Sequence, residues 1–428
     1  MERIKKFGHK TFSSLKIRNY RLYFIGQSIS MSGTWMQTVA QGWLVLQLTH
    51  SGAQLGSVVA LQFLPMLIAG PWGGLIADRF NKRRILYYTQ SASGLLALGI
   101  SILVFSGTIQ IWMVYVFAMC LGIVRIFDDP ARQTFVSELV GSAHVKNAVS
   151  LNATANNLAR VVGPSIGGIL IAGIGIAFCF LVNAFSYIAT IVMLFLMDKK
   201  ELYSPPARRK KSGELREGFR YVMSSPLIRN TLIMMAFIGT FAYEFQISLP
   251  LLAQQTFHGD AASYAALMSA LGAGSVVGGL FSAGRHKIAP RHLIIFALLF
   301  GASLIATSLM PTLTLAIIGM LVVGFFSINV ISLGNTMLQL ESVPEMRGRV
   351  MSLWGMAMIG STPIGGPIIG LIGEYMGGRW GVGVGGIVAV ATAAVAAFTL
   401  LKNDKIETIP ESVQIRDDEA AAENVKIT

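Results

Sequence analysis

Gly74-Leu75-Ile76-Ala77-Asp78-Arg79-Phe80-Asn81-Lys82-Arg83-Arg84 lies between two long apolar runs, near 53–77 and 86–106. Each Lys or Arg moved to the hydrocarbon centre of a bilayer costs about 2.5–3.5 kcal/mol on insertion scales, so a short loop this cationic is not translocated. The stretch therefore reads as a loop joining two membrane helices, and it fixes the cytoplasmic side. The composition around it agrees. Of 428 residues, 53% are hydrophobic and 13% charged, with a mean hydropathy of +0.61, whereas soluble domains carry about 25% charged residues.

The net charge of +13 does not indicate a nucleic-acid partner. Such binding needs basic residues gathered on a folded surface, and here they sit in short loops between apolar spans. Cys120 and Cys179 fall inside predicted spans and read as small apolar residues. The basic start (Arg3, Lys5, Lys6, Lys10, Lys16, Arg18, Arg21) precedes an apolar stretch reaching about Leu48. That is longer than the ~7–15 residues of a signal-peptide core, so the segment is expected to stay attached.

Apolar segments long enough to cross ~30 Å of hydrocarbon fall near 22–48, 53–77, 86–106, 111–134, 146–172 and 176–197, then near 230–253, 261–283, 292–310, 312–336, 350–376 and 381–401. The expected fold is all-α: twelve transmembrane helices in two pseudo-symmetric six-helix bundles, 22–197 and 230–401. A basic segment (1–21) precedes them, a linker (198–229) with Pro205-Pro206 separates them, and an acidic tail (402–428) follows. With both termini cytoplasmic, the basic loops at 79–84, 199–229, 285–291 and 347–349 all lie inside. The opposite turns carry a single cation, Arg379.

The halves also echo each other, as duplicated bundles do. Gly70-x3-Gly74 recurs as Gly274-x3-Gly278. Val149-Ser150-Leu151 with Gly163-Pro164-Ser165-Ile166-Gly167-Gly168 recurs as Met351-Ser352-Leu353 with Gly365-Gly366-Pro367-Ile368-Ile369-Gly370. The acid does not recur, because the position answering Asp78 is Ala283 or Gly284.

The opening string resembles the loop between helices 2 and 3 of the major facilitator superfamily, G-x-L-A-D-R-x-G-R-R/K-R/K, with Asn81 and Lys82 replacing Gly and Arg. The run Phe127-Asp128-Asp129-Pro130-Ala131-Arg132-Gln133-Thr134-Phe135-Val136-x-Glu138-Leu139-Val140, followed by Asn147-Ala148-Val149-Ser150-Leu151-Asn152, is similar to a narrower branch of that superfamily. That branch holds enterobactin exporters, macrolide efflux proteins and a lysophospholipid transporter. The resemblance implies an alternating-access transporter of the bacterial inner membrane, working as a monomer. It also implies a latch at Asp78, Arg79, Arg83 and Arg84, in which Asp78 faces the amino end of predicted span 11 near Val350 and Arg79 or Arg83 reaches acids on span 4. A plain positive-inside loop is the alternative.

Soluble-enzyme signatures are missing: no G-x-S-x-G, H-E-x-x-H or Walker string, and no Cys or His pairs at metal spacing. The chain reads as a non-enzyme without cofactor, driven by an ion or substrate gradient. Arg125, Asp128, Asp129 and Arg132 stand at helical spacings of three and four and can neutralise one another at the membrane edge, as a gate or as a structural ion-pair knot. Glu244, fifteen residues into span 7, is the expected proton site, or else a solvated carboxylate bonded to Tyr243 or Gln246. Asn152, Asn156 and Arg160 share one helical face. Arg160 is too costly to face lipid, so it points into the central cavity or pairs with an acid such as Glu244. The Gly163-Pro164 string resembles part of an antiporter motif, with alanines at 154 and 159 where glycines are expected; small residues also serve helix packing alone. Stripes at Ser30, Thr34, Gln37 and Gln41, and at Asn329, Ser332, Thr336 and Gln339, line a cavity or join helices. Gln37, Gln41, Asn152, Asn156, Arg160, Tyr243, Asn329 and Thr336 are the expected substrate contacts. Nearby aromatics suit an amphiphilic small molecule, exported in exchange for protons. An uptake symporter or lysophospholipid flippase on the same fold, and a non-transporting receptor, are the alternatives.

Overall fold

The structure, a computed structural model, describes residues 13–203, 214–285, 289–358 and 361–401, with backbone alone over 71–79, 214–216 and 400–401. Twelve membrane helices form two bundles of six. The first holds α1 (Arg18–Thr49), α2 (Gly52–Arg79), α3 (Lys82–Phe105), α4 and α5 (the two limbs of Ile111–Gly173) and α6 (Ile176–Leu196). The second holds α7 (Pro226–Thr256), α8 (Ala261–Ala283), α9 (Pro290–Ser308), α10 (Leu313–Glu341), α11 (Pro344–Met376) and α12 (Gly378–Leu401). An amphipathic linker helix, Glu214–Ser224, precedes α7. Among the described residues ten helices are long and apolar enough to cross a membrane; α4 with α5 is one of these, and α1 is not among them. The polar side chains that α1 buries, including Gln27, Ser30, Gln37 and Gln41, keep it below that threshold.

Three local features depart from the pattern expected of the sequence. Spans 4 and 5 are not separated by a loop at 135–145: the helix runs on and turns at Gly141, at φ 67°. That left-handed backbone suits glycine, and the Tyr203 ring lies against it. Span 7 is not one uninterrupted helix, because it breaks between Ala242 and Phe245 and ends in a π turn at Leu252–Thr256. It also starts four residues earlier than expected, at Pro226. The first twelve residues, residues 204–213 of the linker and the tail after 401 lie outside the described residues.

Of the two repeats read from the sequence, that of Gly163 and Gly365 is a repeat in packing, joined by one at Gly122 and Gly324, whereas Gly274 abuts the Leu321 carbonyl and Gly70 meets no neighbouring helix. A Cβ on Gly122 of α4 would collide with the Gln62 carbonyl of α2, and a Cβ on Gly324 of α10 with the Leu271 carbonyl of α8. Gly163 of α5 fits against Trp35 and Met36 of α1, as Gly365 of α11 fits against Thr240 of α7. Small residues let these backbones approach, which is how helices associate where water supplies no driving force. Outward, large apolar side chains such as Phe195, Leu280 and Phe398 are more than 70% exposed, the inverse of a soluble surface. At the start of α8, Asp260 caps the helix: its side chain accepts from the Ser263 N–H at 2.9 Å, which holds the carboxyl below the usual range.

Candidate functional site

The break in α7 aims two neighbours in different directions. Tyr243 turns inward, donates its hydroxyl to the Ser327 carbonyl at 2.7 Å, stacks on Phe300 at 5.2 Å and meets Phe245 edge-on. Glu244, 4% exposed, points instead toward α11, where Thr362 is its polar neighbour and Gly366 lies close by. Its Oε1 is buried with no hydrogen-bond partner. It is bonded to neither Tyr243 nor Gln246.

A cavity lies between the bundles, lined by Trp35 of α1, Arg160 of α5, Tyr243, Phe245 and Gln246 of α7, Met268, Leu271, Gly272 and Ser275 of α8, and Ser327 of α10. Among the described residues Arg160 is its sole charged lining residue. The guanidinium lies 4.8 Å from the Trp35 ring centroid, and its Nε is buried without an acceptor. The expected alternative pairing with Glu244 is absent among the described residues, because the α7 break turns that carboxylate away. A smaller pocket adjoins through Gln246, where Gln41 donates to Gln62 at 3.1 Å.

Other expected contacts are placed elsewhere. Gln37 accepts from Asn183 at 2.6 Å inside the first bundle, and Asn329, fully buried, donates to the Gly278 and Phe325 carbonyls. Both join helices instead of lining the cavity. Asn156 accepts from the Trp35 indole at 3.5 Å, one step behind the lining. Thr336 bonds its own helix, and Asn152 is half-buried on α5.

One end of the bundle pair carries the basic loops. There Asp128, buried on α4, accepts from Thr89 at 2.5 Å and Gln90 at 2.8 Å, both of α3, and pairs with Arg132. Asp129 is half-buried and feels Arg125 and Arg132. Arg83 does not reach these acids. It donates to the Leu194 carbonyl at 2.5 Å and the Phe195 carbonyl at 3.3 Å, capping α6, where carbonyls left over at a helix end and the negative end of its dipole attract a cation. Lys82 is the loop cation that finds an acid, Glu138, at 2.6 Å. The Arg84 side chain is exposed; the side chains of Asp78 and Arg79 lie outside the described residues.

The other end is where the bundles close. Gly52 and Gly56 of α2 meet Gly370 and Gly366 of α11 at backbone distance, and Gly168 of α5 meets Ala265 of α8. The Ser165 and Ser269 hydroxyls lie 2.9 Å apart across the same seam. Glu374 on α11 accepts from the Ser51 hydroxyl at 2.6 Å and the Ala53 N–H at 2.8 Å, so one bundle caps a helix of the other. Toward the basic end, a Cβ on Gly70, Gly348 or Gly355 would meet no neighbouring helix within 4 Å. Sequence reading missed Glu374, the pairing of Lys82 with Glu138, Gln62, and the place of Gln246 in the cavity wall. Only Glu374 left a signal, as the one acid near the charge-poor end of span 11.

Residues 9–426 match the model of the transmembrane secretion effector family. The enterobactin exporter EntS of Escherichia coli O1:K1 is 26% identical over 386 residues, 89% of each chain. The staphyloferrin A transporter of Staphylococcus aureus is 25% identical over 260 residues, 60% of this chain and 65% of that one. A bacterial homologue of the human lysosomal transporter Spinster, inward-facing and unoccupied, shares the fold with TM-score 0.69 at 16% identity, covering 90% of this chain and 97% of that one. A D-xylose–proton symporter does so with TM-score 0.67 at 13% identity, covering 93% and 97%. The chain belongs to the transmembrane secretion effector family of the major facilitator superfamily.

Proposed function

We propose that this transporter sits in the bacterial inner membrane with both termini cytoplasmic and, as a monomer, expels an amphiphilic small molecule in exchange for protons. The observation that carries the reading is Arg160. It is a cation held on Trp35 with an unfilled donor, in a cavity whose lining has no acid. A ligand with an anionic or strongly accepting group and an aromatic body satisfies both the guanidinium and the rings around it. The names of the relatives, an enterobactin exporter and a staphyloferrin A transporter, support export of such a molecule.

Glu244 supplies the proton site. It lies one residue from Tyr243 of the cavity wall yet is turned to α11, so a proton taken there alters α7–α11 packing beside the ligand. With the basic end cytoplasmic, the cavity opens inward, the state in which an exporter loads. Asp78, Arg79, Arg83, Arg84, Asp128, Asp129 and Arg132 then belong to the end that closes in the opposite state.

The test is substrate-triggered proton release in everted, respiring membrane vesicles, with catechol siderophores, macrolides and dyes as ligands. Release by wild type that Glu244→Gln abolishes while binding survives is expected. Unaltered coupling in that variant removes Glu244 from the mechanism. Flux in the opposite direction favours an uptake symporter, lipid movement a flippase, and binding without flux a receptor.

A further inference from the structure

At the basic end one cation of the first bundle has an acid against it, and one of the second has none among the described residues. Lys82, opening α3, pairs with Glu138 at 2.6 Å. Arg285, which follows α8, forms no ion pair among the described residues, and Glu341, at the end of α10, is exposed. Instead the Arg285 guanidinium lies 4.3 Å from the Phe296 ring centroid and 5.1 Å from that of Phe281. Its Nη1 is buried with no acceptor, and burial holds the group below the usual guanidinium range.

Arg291 and His292 open α9 at the same spot. Both arginines act electrostatically on His292, whose Nδ1 is likewise buried and unpartnered. Two guanidinium groups and an imidazole thus converge with no acid against them among the described residues. Rings hold the cation in place by cation–π attraction but accept none of its five N–H donors. An anion is what the cluster lacks.

The surroundings select which anion. Val277, Leu280, Phe281 and Ile295, on the α8–α9 face beneath the cluster, are exposed and apolar, Leu280 by 73%. A soluble anion gains nothing from that face, whereas acyl chains cover it. We propose that Arg285, Arg291 and His292 hold the phosphate of an anionic phospholipid, its chains lying along α8 and α9. The lipid gives the second bundle the counter-charge that Glu138 gives the first.

Native mass spectrometry of the full-length protein in detergent, with equimolar phosphatidylglycerol and phosphatidylethanolamine, tests this. Wild type is expected to retain the anionic lipid preferentially, and Arg285→Gln and Arg291→Gln each to lower that retention about fivefold. Arg291 is exposed, so its variant keeps the test decisive if Arg285→Gln fails to fold. Arg379→Gln is the control: that arginine also lies over a ring, Phe257, but donates to the Ser308 carbonyl at 2.7 Å, and its loss is expected to leave retention unchanged. Equal retention of the two lipids by wild type, undiminished retention by both cluster variants, or displacement of the lipid by excess inorganic phosphate overturns the proposal.

Discussion

The two bundles share a fold but bury different chemistry at the basic end. On α4, Asp128 and Arg132 form an ion pair one helical turn apart, with Thr89 and Gln90 completing the carboxylate's shell. In the second bundle hydroxyls join α10 at that end: Ser282 of α8 donates to Ser332 at 2.7 Å, and Thr336 donates to the Ser332 carbonyl at 2.8 Å. One scaffold thus stands with or without the charges. A buried ion pair is in any case a weak source of stability against well-fitted neutral groups. Whether the charges in the first bundle serve motion or folding is what the variants below separate.

The largest expected effect comes from breaking that pair. Asp128→Ala leaves Arg132 buried without its carboxylate and is expected to cost about 3–5 kcal/mol in unfolding, with transport lost. The double variant Asp128→Ser with Arg132→Thr puts hydroxyls in place of the pair. Thermal unfolding in detergent is expected to show most of that stability regained, while vesicle flux stays absent. Full flux in the double variant would make the pair purely structural and erase the functional contrast between bundles.

Next in size is the cavity, where the first bundle supplies the cation and the second supplies most of the wall. Arg160→Gln removes a charged donor worth about 1.5–3 kcal/mol, so ligand affinity measured by equilibrium binding is expected to fall about 10- to 100-fold. Unchanged affinity would place the ligand outside this cavity. Smaller again is Glu374→Gln, which weakens the cross-bundle cap by about 1 kcal/mol. Cysteines across the α2–α11 seam are expected to cross-link more slowly in that variant. The smallest is Asp260→Ala, at about 1 kcal/mol of stability. Because the folded carboxyl lies below its unfolded value, the cap contributes fully above about pH 3.9 and is lost as pH falls through the lower folded value. Wild type and variant are expected to converge in acid unfolding.

The architecture was legible because the bilayer imposes it: span length, loop charge and glycine spacing are all local properties of the sequence. Gly163 and Gly365, which stand in matching strings of the two halves, do seat α5 on α1 and α11 on α7 in the same way. The break at Tyr243–Glu244 had no such signal. No Gly or Pro stands there, and what holds it is a hydroxyl bond to Ser327, 84 residues away. Arg83 illustrates the same limit. Its charge suggests an acid, yet it lies at the exposed carbonyls of a helix end, and only the tertiary fold brings α6 to it. Glu374 capping α2 joins segments more than 300 residues apart, beyond any periodicity in the chain.

Alternating access is tested most directly by measuring both ends at once. Spin labels at Glu201 and Glu345 report across the basic end, and labels at Thr108 and Tyr375 across the other; all four positions are exposed. Double electron–electron resonance in proteoliposomes, with and without ligand and a proton gradient, is expected to show reciprocal change: the basic-end distance shortens as the opposite one lengthens. Fixed distances at both ends during measurable flux would contradict alternating access.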